Sequence, residues 1–334
     1  MVILQSCSSD NQSNKDGASP VDTTLQRINA LILNDPDNAE NYYQRAIYLM
    51  NANNPDGAMD DINRALRGDS TEGKYYASRA EIYFSKNSFD QALNDFEMCF
   101  QKTPELTDCA LKAAEIHLLF RRYDQALSYI NNALRQDEFL PKAYFMKGLL
   151  YVETGDTALA VSSYQTATEV DPDFYEAYIS LGFLYAKAQN DLAIEYYSTA
   201  VSLKPKSVEA LYDKAIYLQD TGFRDSTRYE EALGLYDKIL EIDPGNSAAA
   251  FNKGFIYLEY YSRNRSGSYE EASKWFSKAI ELYPMYYQAY YNRGLSEESL
   301  GDVKQAESDY REALRIQPDY TPAARSLSRV VEGQ

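Results

Sequence analysis

The sequence predicts an all-α chain, a solenoid of eight helical hairpins between two capping helices. Three periodic series predict it. A small residue recurs at Ala46, Ala80, Ala114, Gly148, Gly182, Ala215, Gly254 and Gly294, in steps of 34, 34, 34, 34, 33, 39 and 40. A second small series keeps pace with it: Ala58, Ala92, Ala126, Ala160, Ala193, Ala232, Ala272 and Ala306. Four residues after each of these comes a large side chain, at Ile62, Phe96, Ile130, Tyr164, Tyr197, Tyr236, Phe276 and Tyr310. Small residues let two helix axes approach, and large ones fill the space around the contact. Each hairpin has one apolar side that it cannot bury alone, so the copies must stack.

The clearest copy runs from Tyr287 to Pro318, with a Gly301-Asp302 turn between two stretches of helical period. Proline stops the second helix there, and again at Pro104, Pro172, Pro205, Pro244 and Pro284.

In chain order, residues 1–21 belong to no copy. Ser8 to Asn14 is polar throughout and cannot form a core, which predicts a flexible tether. Residues 22–38 predict an N-terminal capping helix, with Asp22 or Thr23 as N-cap and Leu25, Ile28, Leu31 and Ile32 as its apolar face. Pro36 stops it in the register of a second helix, as though its first helix were missing. The hairpins then occupy residues 39–72, 73–106, 107–140, 141–174, 175–207, 208–246, 247–286 and 287–320. The fifth is one residue short in its turn near Asn190. The sixth and seventh lengthen only that turn, through 222–229 and 262–269, before a Glu-Glu-Ala restores the register. Insertions of this kind map to loops on one edge. These two carry Arg224, Arg228, Arg263 and Arg265, either as neutral variation or as a basic edge patch for an acidic group. Residues 321–334 predict a C-terminal capping helix with Thr321 as N-cap and Pro322 in its first turn. Ser326, Ser328 and Arg329 are expected on its outer side.

The chain has 33 Lys and Arg against 50 Asp and Glu, a formal charge of -17. That argues against nucleic acid and against an anionic membrane surface, and suits solubility or a basic partner. The 31 tyrosines fall mostly where helices pack, as at Tyr76, Tyr151, Tyr185 and Tyr290, and so describe packing first. No catalytic constellation, phosphate loop or zinc set stands out, and no cofactor or metal is expected. The single histidine, His117, is expected in the core. Carboxylate pairs are expected as solvated helix surface. Cys99 and Cys109 are expected as buried free thiols, with a disulfide as the alternative in an oxidising compartment. Beyond Val2–Leu4 no apolar run could span a bilayer.

The registered series resembles the tetratricopeptide repeat, whose period is 34 residues. The resemblance covers the chain from about Asp22. It implies a right-handed superhelix whose first helices line a concave groove. The groove positions that it implies are Phe145, Leu149 and Val152, Ile179 and Phe183, Tyr212 and Ile216, Phe251, Phe255 and Leu258, and Tyr291 and Leu295. Asn252 and Asn292 match the family's groove asparagines, whose amides can hold a peptide backbone. The stripe suits either a bound segment or self-association.

Near the N-terminus, Leu4-Gln5-Ser6-Cys7 resembles a bacterial lipobox with Cys7 as the acylated residue. The polar run behind it is similar to the tether of surface lipoproteins in the Bacteroides group. Too few residues precede Cys7 for an export leader, so a trimmed precursor is expected; a chance cysteine is the alternative. Together these features imply a non-enzymatic scaffold that binds a protein or peptide segment, anchored by lipid in the bacterial envelope. The alternatives are an envelope receptor for a glycan or peptide fragment, and, for location, the cytoplasm.

Overall fold

The computed structural model describes residues 23–261 and 267–332. Cys7, the tether, Asp22, Arg263 and Arg265 lie outside the described residues. Among those described there are eighteen α-helices and no strand. The fold is therefore all-α, built of consecutively packed helix pairs.

Residues up to Phe139 form one compact unit and residues from Leu140 a second. In the first unit, α1 (Thr23–Asn34) is followed by three hairpins. These are α2 (Ala39–Asn51) with α3 (Pro55–Gly68), α4 (Gly73–Ser85) with α5 (Phe89–Lys102), and α6 (Thr107–Leu119) with α7 (Tyr123–Gln136). In the second unit the hairpins are α8 (Pro141–Thr154) with α9 (Thr157–Val170), and α10 (Tyr175–Lys187) with α11 (Leu192–Leu203). They continue with α12 (Val208–Thr221) and α13 (Thr227–Ile242), α14 (Ser247–Ile256) and α15 (Ser268–Leu282), and α16 (Tyr287–Leu300) and α17 (Val303–Ile316). The last helix is α18 (Thr321–Glu332), and α14 runs on into a π turn, Tyr257–Tyr261. Within each unit, every second helix also packs on the first helix of the next hairpin.

The small residues are where the helices touch. Ala46, Ala80, Ala114 and Ala215 are fully buried, as is the whole Ala58-to-Ala306 series. In the first five hairpins and the eighth, the turn takes one residue in the left-handed region: Asn53, Asn87, Arg121, Gly155, Gln189 and Gly301. Thr321, expected as an N-cap, is instead the first residue of α18, and its hydroxyl donates to the Asp319 carbonyl; other helices are capped by side chains. The side chains of Asn38, Asn54, Ser207, Asn246 and Asp302 accept from backbone N–H groups in the first turns of their helices.

Three expectations are corrected. First, not all carboxylates are solvated surface. Asp61, Asp95 and Asp309 are buried, and each takes a two-pronged ion pair from the guanidinium sixteen residues earlier. Arg45 reaches Asp61 at 2.6 and 2.7 Å, Arg79 reaches Asp95 at 2.7 and 2.8 Å, and Arg293 reaches Asp309 at 2.8 and 2.7 Å. The remaining Nη1 of each donates back to the preceding second helix, at Asn29, Asn63 or Ser277. Planar, forked guanidinium groups suit such sites. Because Asn29 stands to Arg45 as Asn63 stands to Arg79, α1 occupies a second helix's place. Second, Cys99 and Cys109 are disulfide-bonded. Cys99 holds a small-residue position on α5 and Cys109 lies in the first turn of α6, so close helix packing brings their Cα atoms to 6.0 Å, within bonding reach. Third, Ser326 is buried on α18 with Ala323 and Val330, rather than facing outward.

Candidate functional site: the first-helix faces of the second unit

All the candidate groove residues lie in the second unit, on α8, α10, α12, α14 and α16, except Leu258, which is buried in the π turn after α14. The structure sorts them into two rows. The residues at the fifth position of each first helix are half-buried and carry the contact to the next hairpin. The Phe145 ring packs against Tyr164 of its own hairpin and Phe174 at the entry of the next, at 5.5 and 5.4 Å between centroids. Phe251 does the same with Phe276 and Tyr286, at 5.5 and 4.8 Å. Tyr291 repeats the arrangement with Tyr310 and Tyr320, at 5.9 and 5.3 Å. Tyr212 packs edge-on to Tyr236 at 6.1 Å, and Ile179 packs beside Tyr175 and Tyr178. These side chains are core as much as surface.

Four residues on, one helical turn later, the side chains are freer. Phe183 is 56% exposed and Leu149 39%, with Val152, also 39% exposed, beside it. Ile216, Phe255 and Leu295 are partly buried. Among the candidate groove residues the accessible apolar surface is therefore concentrated on α8 and α10, and is narrower than the stripe read from the repeat register.

The asparagines are not free. Asn252 is buried and its amide donates to the Tyr212 hydroxyl at 2.9 Å, tying α14 to α12. Asn292 is also buried, on α16.

Acidic side chains stand on α10 and α12. Glu209 accepts from the Tyr175 hydroxyl at 3.2 Å, and Glu176 pairs with Lys204 at 3.2 Å. Asp213 is half-buried, and burial together with the nearby Glu209 charge raises its carboxyl above the ordinary value. Burial likewise pushes the Tyr286 phenol up to about 12.

The inserted loop of the sixth hairpin is engaged internally. Arg228 pairs with Asp191 at 2.7 Å, and Arg224 reaches both Asp191 and the Gln189 carbonyl, at 3.2 and 3.0 Å. Asp191 sits in the shortened turn of the fifth hairpin, so the longer loop folds over the shorter one. The Arg228 bonds, with the Tyr217 hydroxyl, hold the Asp191 carboxyl down at about 2. This half of the expected basic patch is already neutralised.

His117 is buried on α6, stacked on Tyr129 at 5.5 Å, and burial lowers its imidazole below the ordinary value. Among the described residues no group of His, Cys, Asp and Glu could hold a metal ion.

Tetratricopeptide repeat family models match residues 287–320 and 184–247, and a TPR repeat model matches 148–189 and 261–301. The chain is a tetratricopeptide-repeat protein. Its repeats are similar to those of the photosystem I assembly protein Ycf3 of Rippkaea orientalis, 32% identical over 104 residues. That match takes in 29% of this chain and 60% of the assembly protein. A UDP-N-acetylglucosamine–peptide N-acetylglucosaminyltransferase of Giardia intestinalis is 29% identical over 109 residues, which are 32% of this chain but 7% of the transferase. The chain thus spans less than two thirds of either relative. Among solved structures, the C-terminal part of a TPR repeat-containing protein from Cytophaga hutchinsonii superposes with a TM-score of 0.63 at 18% identity. It covers 77% of this chain and 99% of that one, a likeness of fold.

Proposed function

We propose that this tetratricopeptide-repeat protein is a non-enzymatic scaffold that holds an extended or helical protein segment along the first-helix faces of its second unit. The observation that carries this reading is the exposure of Leu149 and Val152 on α8 and of Phe183 on α10, two first helices that also carry half-buried aromatics. Solvent-facing apolar surface rimmed by charge marks interaction sites. The acidic border and the charge of -17 favour a segment with apolar anchors and nearby Lys or Arg. A photo-crosslinking amino acid placed at 152 or 183 in the native host tests it. The expected product is a discrete adduct with a protein whose cross-linked segment is basic. Adducts from position 223 on the sixth-hairpin loop, with none from 152 or 183, would move the site to that edge.

An envelope location, with a lipid on Cys7, is part of the same proposal. The Cys99–Cys109 disulfide supports it, because such bonds persist in oxidising compartments. The lipobox-like Leu4-Gln5-Ser6-Cys7 supports the anchor. Among the described residues no helix is long and apolar enough to cross a membrane, so the lipid would be the attachment. Replacing Cys7 by Ala in the full-length precursor should release the protein from the membrane fraction; continued sedimentation after a salt wash would contradict the anchor.

A further inference from the structure

A pocket of about 470 Å³ lies within the second unit, where α14, α15, α16 and α18 meet. Its apolar wall is Leu258, Leu295 and the Tyr269 ring. Leu258 and Glu259 come from the π turn that ends α14, a local widening found often at functional sites. Glu298, Ser299 and Arg329 complete the lining.

The charges of Glu298 and Arg329 are already matched to each other. Glu298 accepts from Arg329 at 2.8 and 3.2 Å and from the Tyr310 hydroxyl at 2.7 Å. Burial alone would raise its carboxyl, but those bonds outweigh burial and lower it. Glu259 differs. It is exposed at the mouth, and no described residue pairs with it. The pocket therefore offers apolar side chains, an ion pair that is already matched and an exposed carboxylate with no partner among the described residues. An anion would meet that carboxylate and would have to displace Glu298 from Arg329. A cation on an aliphatic stem meets neither obstacle.

We propose that this pocket receives one Lys or Arg side chain of the bound segment, its methylene stem on Leu258, Leu295 and Tyr269 and its charged head on Glu259. The inference rests on the scaffold reading above and assigns one anchor within it. Long basic side chains combine an apolar stem with a charged head in this way.

The test uses the whole chain and three small probes: Nα-acetyl-lysine amide, Nα-acetyl-arginine amide and Nα-acetyl-norleucine amide, with acetate as the anionic control. Binding is followed by methyl NMR shifts of Leu258 and Leu295. The two cationic amides should bind weakly and saturably, about three- to fivefold tighter than the norleucine amide, the range that one exposed ion pair supplies. Glu259→Gln should bring them to the norleucine level, and Leu295→Ser should weaken all three amides. Equal binding of norleucine and lysine amides overturns the proposal. So does unchanged lysine binding in Glu259→Gln, stronger binding of acetate, or no saturable binding of either cation. Because the probes contain no partner protein, these outcomes are independent of whether the Phe183 surface binds a segment.

Discussion

A Cβ atom added to Gly148 would lie 2.3 Å from Cε1 of Tyr164, sixteen residues later on the second helix of the same hairpin. The same closeness recurs between Gly182 and Tyr197, at 2.5 Å, and between Gly294 and Tyr310, at 2.6 Å. Where the second helix carries Ile62 or Ile130 instead, the first helix carries Ala46 or Ala114. At these three hairpins the ring takes up the volume that a methyl group would need, whereas Phe96 and Tyr236 are paired with Ala80 and Ala215. Gly148→Ala should therefore destabilise by about 1–3 kcal/mol through overpacking. Gly234→Ala is the control: it lies within α13 with nothing within 4 Å of the added atom, and should stabilise by about 0.5–1 kcal/mol. Urea titration of both variants checks the pair. Equal effects would mean that the glycine is not set by its ring.

The guanidinium–aspartate pairs give a second contrast. Arg79→Met leaves Asp95 buried without its partner and should cost about 3–5 kcal/mol. Adding Asp95→Leu to it should recover much of that loss, since replacing both partners removes the stranded charge. Lys74→Met, which breaks an exposed pair with Glu40, should cost less than about 1 kcal/mol. Denaturant midpoints for the four proteins separate these cases. A double variant no more stable than Arg79→Met would show that the pair is not the source of the cost.

Much of this was legible in the sequence, and the failures have physical causes. The small-residue series located every hairpin, because helix axes can touch only where side chains are small. The buried ion pairs were also encoded. Arg45, Arg79 and Arg293 each precede a small residue of the first series, and Asp61, Asp95 and Asp309 each precede a large residue of the second. Composition hid them, since charge in an acidic chain suggests solvent. The aromatics Phe145 and Phe251 looked like groove floor because their own helix leaves that face open. They are covered by Phe174 and Tyr286, which enter from the next hairpin, a contact that depends on how hairpins stack. Likewise Asn252 looked available until Tyr212 of the preceding hairpin was seen to accept its proton.

The loop clamp at Asp191 should titrate. Its folded carboxyl lies at about 2, below the ordinary 3.8, so its contribution is present above about pH 4 and is lost as the pH falls toward 2. Arg228→Ala should raise the Asp191 value toward 3.8, as read by carboxyl 13C shifts. The Asp191 carboxylate is half-exposed, so solvent screens the pair and the cost in stability should stay below about 1 kcal/mol. An Asp191 titration unchanged by the substitution would rule out the clamp.

The disulfide joins residues ten apart, across the contact between α5 and α6. A loop of that size should contribute about 2–3 kcal/mol by restricting the unfolded chain. Cys99→Ala should lose about this amount, with the loss confined to the first unit when followed by hydrogen exchange. Thiol labelling of unreduced, unfolded protein from the native host should leave Cys99 and Cys109 unmodified. Full labelling of both would argue for a reducing compartment and against the envelope location.

The last prediction separates surface from core on the candidate face. Phe183 is 56% exposed, so Phe183→Ala should change stability by less than about 0.5 kcal/mol. Phe251 sits between Phe276 and Tyr286, so Phe251→Ala should cost about 2 kcal/mol or more. Binding to the cross-linked partner segment should respond the other way round at matched folded fraction. Phe183→Ala should weaken it about tenfold or more, as loss of one central aromatic anchor does. Raised salt should slow association of a basic segment more than it speeds release, because the acidic border acts at a distance and the apolar contact only on touching. Stopped-flow association and surface-captured dissociation measure the two rates separately. If Phe183→Ala binds the segment as tightly as the unaltered protein, the patch of Leu149, Val152 and Phe183 is not the binding surface, whatever the stability of Phe251→Ala proves to be.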